Sequence, residues 1–296
     1  MENLEKPAGQ DEYYTAIRKY YDTCEIDYKL LWRLDRCMAL HYGYWDDTTR
    51  GVSDALLRQN QVLAEKARIT PADKVLDAGC GVGGSSIWLA KNIGCQEIKG
   101  ITIVEGQVKT ATKYAVKHKV ENNISFEQRD YLNTGYPDES FDVVWALESV
   151  CHAMSKPDFI REAFRVLKPG GRLVVADFFS PKEQLTQDEK DLMSDWLEGW
   201  SVNGLGYGDG FLHSMQETGF VNAYKQVATE NVIPSAKRLY RYSLLTRHGA
   251  KLLAFLHLRA KNQNRNINAV YQQWHALKYD LWEYDIFYGE KPQATA

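Results

Sequence analysis

No stretch of this sequence approaches the 18 or more consecutive apolar residues that would cross a bilayer, and no repeat or low-complexity tract interrupts it. Cysteine is sparse: the five at positions 24, 37, 80, 95 and 151 are odd in number, scattered, and form no CxxC pair. That argues against a disulfide framework and for a reducing, cytoplasmic setting. Met1 to Asp11 is polar and lacks the basic-then-apolar order of a secretory signal. Net charge is small, 36 Lys and Arg against 39 Asp and Glu, so no global field draws the chain to nucleic acid or an anionic membrane, although a local patch could do so. The seven histidines form no close ligand pair and no cysteine cluster assists them, so no metal is expected. There is no GxSxG elbow for a serine nucleophile. What is left is a protein whose partner is a small-molecule substrate, with a homo-oligomer left open.

The 296 residues, 44% hydrophobic and 25% charged, are enough to bury a core. Aromatics crowd the start (Tyr13, Tyr14, Tyr20, Tyr21, Tyr28, Trp32, then His41-Tyr-Gly-Tyr-Trp45), where helices are expected over 11–39 and 51–68. From Lys74 to Phe179 short apolar runs alternate with amphipathic segments, the pattern of βα units around a parallel sheet. Strands are expected at 74–78, 97–102, 124–128, 141–146 and 172–177, and helices at 83–92, 106–119 and 156–167, the last stopped by Lys168-Pro-Gly-Gly171. A helix over 186–200, a glycine-rich loop (Gly204, Gly206, Gly208, Gly210), a sixth strand near 220–227 and a closing strand from Trp282 to Lys291 follow. The expectation is one α/β domain over 1–296: a doubly wound, Rossmann-like seven-stranded sheet with its cofactor-binding core at 71–179. An N-terminal helical cap over 1–70 and cap insertions with closing strands over 180–296 would surround it.

The most informative stretch is Val75-Leu-Asp-Ala-Gly-Cys-Gly-Val-Gly-Gly84, a buried strand ending in glycines that feed a helix. Such a loop lets a ligand lie against bare backbone at the carboxyl edge of the sheet. Gly79, Gly81 and Gly84 satisfy GxGxxG, so an NAD-dependent dehydrogenase must be weighed. Against it, the motif begins after some 70 residues, and Thr102 stands where the second strand should end in a ribose-binding acid. Glu105 lies beyond that strand end.

Asp77-Ala-Gly-Cys-Gly-Val-Gly83, Gly100-Ile-Thr-Ile-Val-Glu-Gly-Gln107, Arg129-Asp-Tyr131, Phe141-Asp-Val-Val-Trp-Ala-Leu-Glu148 and Leu167-Lys-Pro-Gly-Gly171 follow one another in order. Together they resemble the class I S-adenosylmethionine-dependent methyltransferases. His41-Tyr-Gly-Tyr-Trp45 and the Gly-Ile-Thr-x-x-x-x-Gln form are similar to the sterol, gamma-tocopherol and geranyl diphosphate methyltransferase group. The resemblance implies S-adenosyl-L-methionine as cofactor, with Asp77, Gly79, Cys80, Gly81 and Gly83 around its amino-acid part. It further implies Thr102 and Gln107 at the ribose, Asp130 with Tyr131 at the adenine, and Tyr21 and Trp45 as a lid whose aromatic faces attract a sulfonium.

For proton transfer, a helical turn after the fourth strand would bring Glu148 and His152 onto one face (i, i+4), with Glu148 orienting His152 as base. The bland alternative is a cofactor contact and a surface histidine. Asp177 is a second rim carboxylate, or else a loop cap. Tyr44, Trp196 and Trp200 are candidates for an acceptor pocket, against ordinary core packing. The segment 230–265 holds eight Lys and Arg and one acid, Glu230. It reads as a solvated helix face first, then as a membrane-facing surface or an anion clamp through Arg238 and Arg241. The resulting expectation is methyl transfer to a small apolar or amphipathic metabolite, terpenoid or prenyl-type carbon methylation first. N- or O-methylation of an aromatic or alkaloid-like compound, the dehydrogenase, and a silent cofactor-binding module are the alternatives.

Overall fold

The computed structural model describes residues 9–31, 38–255 and 261–294. Seven strands form one mixed sheet: β1 (Lys74–Ala78), β2 (Glu97–Thr102), β3 (Ile124–Gln128), β4 (Phe141–Leu147), β5 (Leu167–Phe179), β6 (Val221–Val227) and β7 (Glu283–Glu290). Their spatial order is β3-β2-β1-β4-β5-β7-β6. The first five run parallel, while β7 is antiparallel to both neighbours. The central strands are near-continuous apolar runs because helices cover both faces. Successive residues therefore enter opposite cores, Val75, Val143 and Trp145 on one face and Leu76, Val144 and Ala146 on the other.

The described helices are α1 (Gln10–Leu31), α2 (Val52–Lys66), α3 (Gly84–Trp88), α4 (Glu105–His118), α5 (Lys156–Val166), α6 (Gln187–Gly199), α7 (Gly208–Thr218), α8 (Thr229–Phe255) and α9 (Lys261–Lys278). α3 runs into a π-helical turn at Leu89–Ile93. Side chains start two of the helices: Ser155 accepts from Asp158 N at α5, and Thr186 with Glu189 makes a capping box at α6. At the carboxyl end of β5, Phe178 meets five rings edge-on, those of Tyr42, Trp196, Trp200, Trp282 and Tyr284. This cluster joins the sheet to the cap.

Three expectations change. β5 begins at Leu167, because Lys168-Pro-Gly-Gly171 pairs at the sheet's end instead of forming a loop. The glycine-rich stretch is a loop only to Tyr207, after which Gly208 and Gly210 fall in the first turn of α7. The helix expected over 11–39 reaches Leu31, its residues 32–37 lie outside the described residues, and Met38 onward is not helical.

Phe178→Ala should destabilise the protein by about 3–5 kcal/mol. Urea unfolding would show this as a lower midpoint at unchanged slope.

Candidate functional site

The strands β1, β2 and β4 end on a cavity lined by the loops that follow them. The loop after β1 folds back so that Gly79 N and Cys80 N both donate to Ile101 O at 2.9 Å. Gly79 has φ +89°, and a Cβ there would stand 2.3 Å from the Ser149 Cβ, so the loops after β1 and β4 can approach this closely only with glycine. Asp77, Gly79, Cys80 and Gly81 line the cavity. Gly83 does not; it precedes α3 at φ +84°, where a Cβ would meet the Phe126 ring. Its role is to start the helix.

Asp77 is 2% exposed. Its Oδ2 accepts from Ser86 Oγ at 2.6 Å, and burial pushes its carboxyl up to about 6. Thr102 and Gln107 both line the cavity. The Thr102 hydroxyl donates to Gln107 Oε1 at 2.7 Å and accepts from Val104 N, which fixes the amide and reserves its NH2 for a ligand. Asp130 and Tyr131 are also in the wall. Asp130 Oδ1 caps its own turn through Leu132 N. Its Oδ2 accepts from Tyr14 OH at 2.8 Å and Gln10 Nε2 at 3.2 Å, so α1 closes over this end of the cavity. Tyr131 donates to Ser149 O at 2.9 Å.

A second cavity adjoins the first. Its wall includes Tyr20, Tyr42, Phe178, Trp200, Leu239 and Val270, and it shares Tyr21, Leu40, Glu148 and His152 with the first cavity. Both acid–base candidates thus stand where the two cavities meet, although not as expected. Glu148 has φ +48°, which breaks the chain direction after β4 and prevents the (i, i+4) pairing. A short 3-10 turn at Val150–His152 carries the histidine. Glu148 Oε1 accepts from Tyr42 N at 2.7 Å and Tyr284 OH at 2.9 Å, and burial raises its carboxyl well above the usual range. His152 Nδ1 lies 3.2 Å from Ser201 O and Nε2 3.2 Å from Tyr21 OH. A carbonyl only accepts, so Nδ1 carries the proton and Nε2 is the basic nitrogen. Burial lowers the imidazole to about 4, which keeps it neutral.

Asp177 is fully buried and caps this turn, accepting from Cys151 N and Phe178 N at 2.8 Å each. It is not a rim group. Lys156 is clamped beside it, donating to Cys151 O, Ala153 O and Gly204 O. Neither Lys156 nor Tyr14, Gln10 and Tyr284 stood out in the sequence, because each acts through contacts across the fold.

Five candidates lie elsewhere. Trp45 donates to Ser235 Oγ at 2.9 Å, its N–H donates to Asn231 O and its carbonyl accepts from Asn231 Nδ2, pinning the 38–50 segment to α8. Tyr44 faces Gln226 on β6. Trp196 is buried core at 1% exposure, whereas its neighbour Trp200 reaches the second cavity. Arg238 stacks over Tyr242 at 4.9 Å and Arg241 is exposed; neither lines either cavity.

A parallel sheet with a reversed seventh strand and a glycine loop opening on a cavity at its carboxyl edge define a Rossmann-like, nucleotide-cofactor class of protein. Residues 76–175 match the family described as "Methyltransferase domain". The chain is 43% identical over 139 residues to 27-O-demethylrifamycin SV methyltransferase of Amycolatopsis mediterranei, covering 47% of this chain and 51% of that protein. It is 35% identical over 207 residues to a sterol 24-C-methyltransferase of Gibberella zeae, covering 70% of this chain and 51% of that protein. The chain therefore spans about half the length of these relatives. The crystal structure of the [4+2]-cyclase SpnF has the same fold, with a TM-score of 0.76 at 22% identity over 94% of this chain and 96% of that one. Residues 76–175 are therefore similar to a methyltransferase domain, and S-adenosylmethionine, named as the ligand in a solved geranyl diphosphate methyltransferase of the same fold, is the cofactor to test against this cavity.

The cavity fits that cofactor. Its buried Asp77 is partnered by Ser86 and by no cation in these contacts, which suits an ammonium group. Protonated Asp77 cannot make that pair, and the pair stabilises the ionised form. Affinity for S-adenosylhomocysteine should therefore rise about tenfold per pH unit below about 6 and level off above it. Calorimetry across pH 5–8 checks this, and Asp77→Asn should flatten the curve.

Proposed function

We propose that this protein transfers a methyl group from S-adenosylmethionine to a small, apolar or amphipathic acceptor held in the second cavity. The observation that carries this is the wall shared by the two cavities, where Tyr21, Leu40, Glu148 and His152 face both. When bound, the cofactor supplies an already activated methyl group on a sulfonium. The protein's own work is then alignment, exclusion of water and management of charge.

In this reading Asp77 and the loop from Gly79 hold the amino-acid end, Gln107 the ribose, and Asp130 the adenine amino group in place of one of its α1 partners. Glu148 is pinned by Oε1 alone in its two bonds, leaving Oε2 for the junction. A positive charge beside it favours the carboxylate over the buried acid, so the ligand itself ionises the group that stabilises it. His152, oriented by Ser201 O at Nδ1, accepts at Nε2 the proton that the acceptor or its cationic product releases, in place of the Tyr21 hydroxyl that now bonds there.

Terpenoid or prenyl-type carbon methylation is our first choice of acceptor, because aromatic and aliphatic side chains dominate the second cavity and no Lys or Arg is among its described lining residues. Trp200 Nε1, which finds no hydrogen-bond partner among the described residues, is a donor for an acceptor oxygen. O- or N-methylation is the second reading, favoured by the fixed basic nitrogen of His152. A nicotinamide cofactor has no support in the family match.

Labelled methyl transfer into organic- and water-soluble extracts tests this reading, with Asp77→Ala as the blank. Label in the organic phase supports the first choice, and label confined to water supports the second. Absence of transfer with intact cofactor binding would overturn the proposed activity. With a working acceptor, Glu148→Gln should lower kcat by about 10²-fold or more and leave the affinity for S-adenosylhomocysteine within about threefold.

A further inference from the structure

Between Asn231 and Tyr279 the chain has nine Lys and Arg residues and no Asp or Glu. Since the whole chain totals −3, the remaining residues carry −12. The near-neutral balance therefore conceals a strong separation of charge along the sequence. The cationic span is almost entirely the pair α8 and α9. On α8, Val232, Ala236, Leu239 and Ser243 are buried. Lys237, Arg241, Leu244 and Leu245, spaced i, i+4, i+7 and i+8, are exposed on the other side, with Tyr242 beside them. Leu245 is 80% exposed and Leu244 43%.

A face that carries cations alone is a solvated or polyanion-binding face. Adjacent exposed leucines beside those cations, with Glu230 in the first turn as the one acid of the two helices, fit a surface that is both anionic and able to take apolar side chains. We infer that this face of α8 docks on an anionic lipid surface, its cations among the head groups and Leu244 and Leu245 at the acyl boundary. The same two helices lend Leu239, Asn266 and Val270 to the second cavity. Docking would bring that cavity close to a store of lipophilic acceptor. This last consequence rests on the proposed function, whereas the docking does not.

The test is sedimentation of the purified full chain with phosphatidylcholine vesicles and with vesicles containing about 30% phosphatidylglycerol. The expected result is binding to the anionic vesicles alone, lost in about 0.5 M salt. Lys237→Glu and Leu245→Asp should each weaken it about tenfold, with the thermal shift by S-adenosylhomocysteine unchanged as proof of folding. Equal binding to neutral vesicles, binding to neither, or indifference to both substitutions would overturn the inference. So would concentration-dependent self-association that Lys237→Glu abolishes in a protein that binds no vesicle, which would assign the face to a second copy. Because the readout involves no methyl transfer, failure here and failure of the proposed activity are separate results.

Discussion

Three carboxyl groups, buried at the carboxyl ends of three adjacent strands, govern this structure. Asp77 ends β1, Glu148 follows β4 and Asp177 lies near the end of β5, and burial raises all three above the ordinary carboxylate range. Removing a carboxylate from water costs several kcal/mol unless donors replace the solvent. Here the described donors are mostly neutral hydroxyl and peptide N–H groups: Ser86 for Asp77, Tyr42 and Tyr284 for Glu148, Cys151 and Phe178 for Asp177. The sheet thus offers latent negative charge where a cationic ligand would be welcome.

Much of the surrounding architecture supplies those donors. Tyr42 comes from the segment after α1, Tyr284 from β7, and the Cys151 amide from a turn held on its other side by Lys156. The left-handed backbone at Glu148 is held by these contacts together with the bond from its own N–H to Ala176 O. The charge of Lys156 lowers the neighbouring imidazole further, reinforcing the neutral state that burial imposes. α1 meanwhile contributes at both ends of the site, with Gln10 and Tyr14 on Asp130 and Tyr21 on His152.

The strands at 74–78, 97–102 and 124–128 were legible to the residue: the first because a strand covered on both faces is a bounded apolar run, the last, at the sheet's edge, because Ile-Ser-Phe-Glu-Gln alternates. The glycine loop was equally legible, since both its close approach and its ligand edge follow from the missing Cβ. The reversal of β7 was not, for a closing strand reads the same in either direction. The Glu148–His152 pairing failed because spacing presumes a regular helix, and one left-handed residue redirects everything after it. Trp45, Tyr44 and Trp196 show the same limit: aromatic residues suit a lid and a core equally, and only their neighbours decide. Arg238 and Arg241 were noticed for their charge, but the helix turns them away from the cavities.

The position of β7 has a consequence for how the protein is made. Of the seven strands it is the last to leave the ribosome, yet it pairs with β5 on one side and β6 on the other. Until it arrives, β5 presents an open edge, β6 lacks its β7 partner, and Glu148 lacks the Tyr284 hydroxyl. A nascent chain can complete the parallel half of the sheet, but the edge it exposes is of the kind that chaperones cover. The full set of contacts around Glu148 can therefore form only after all seven strands have been made.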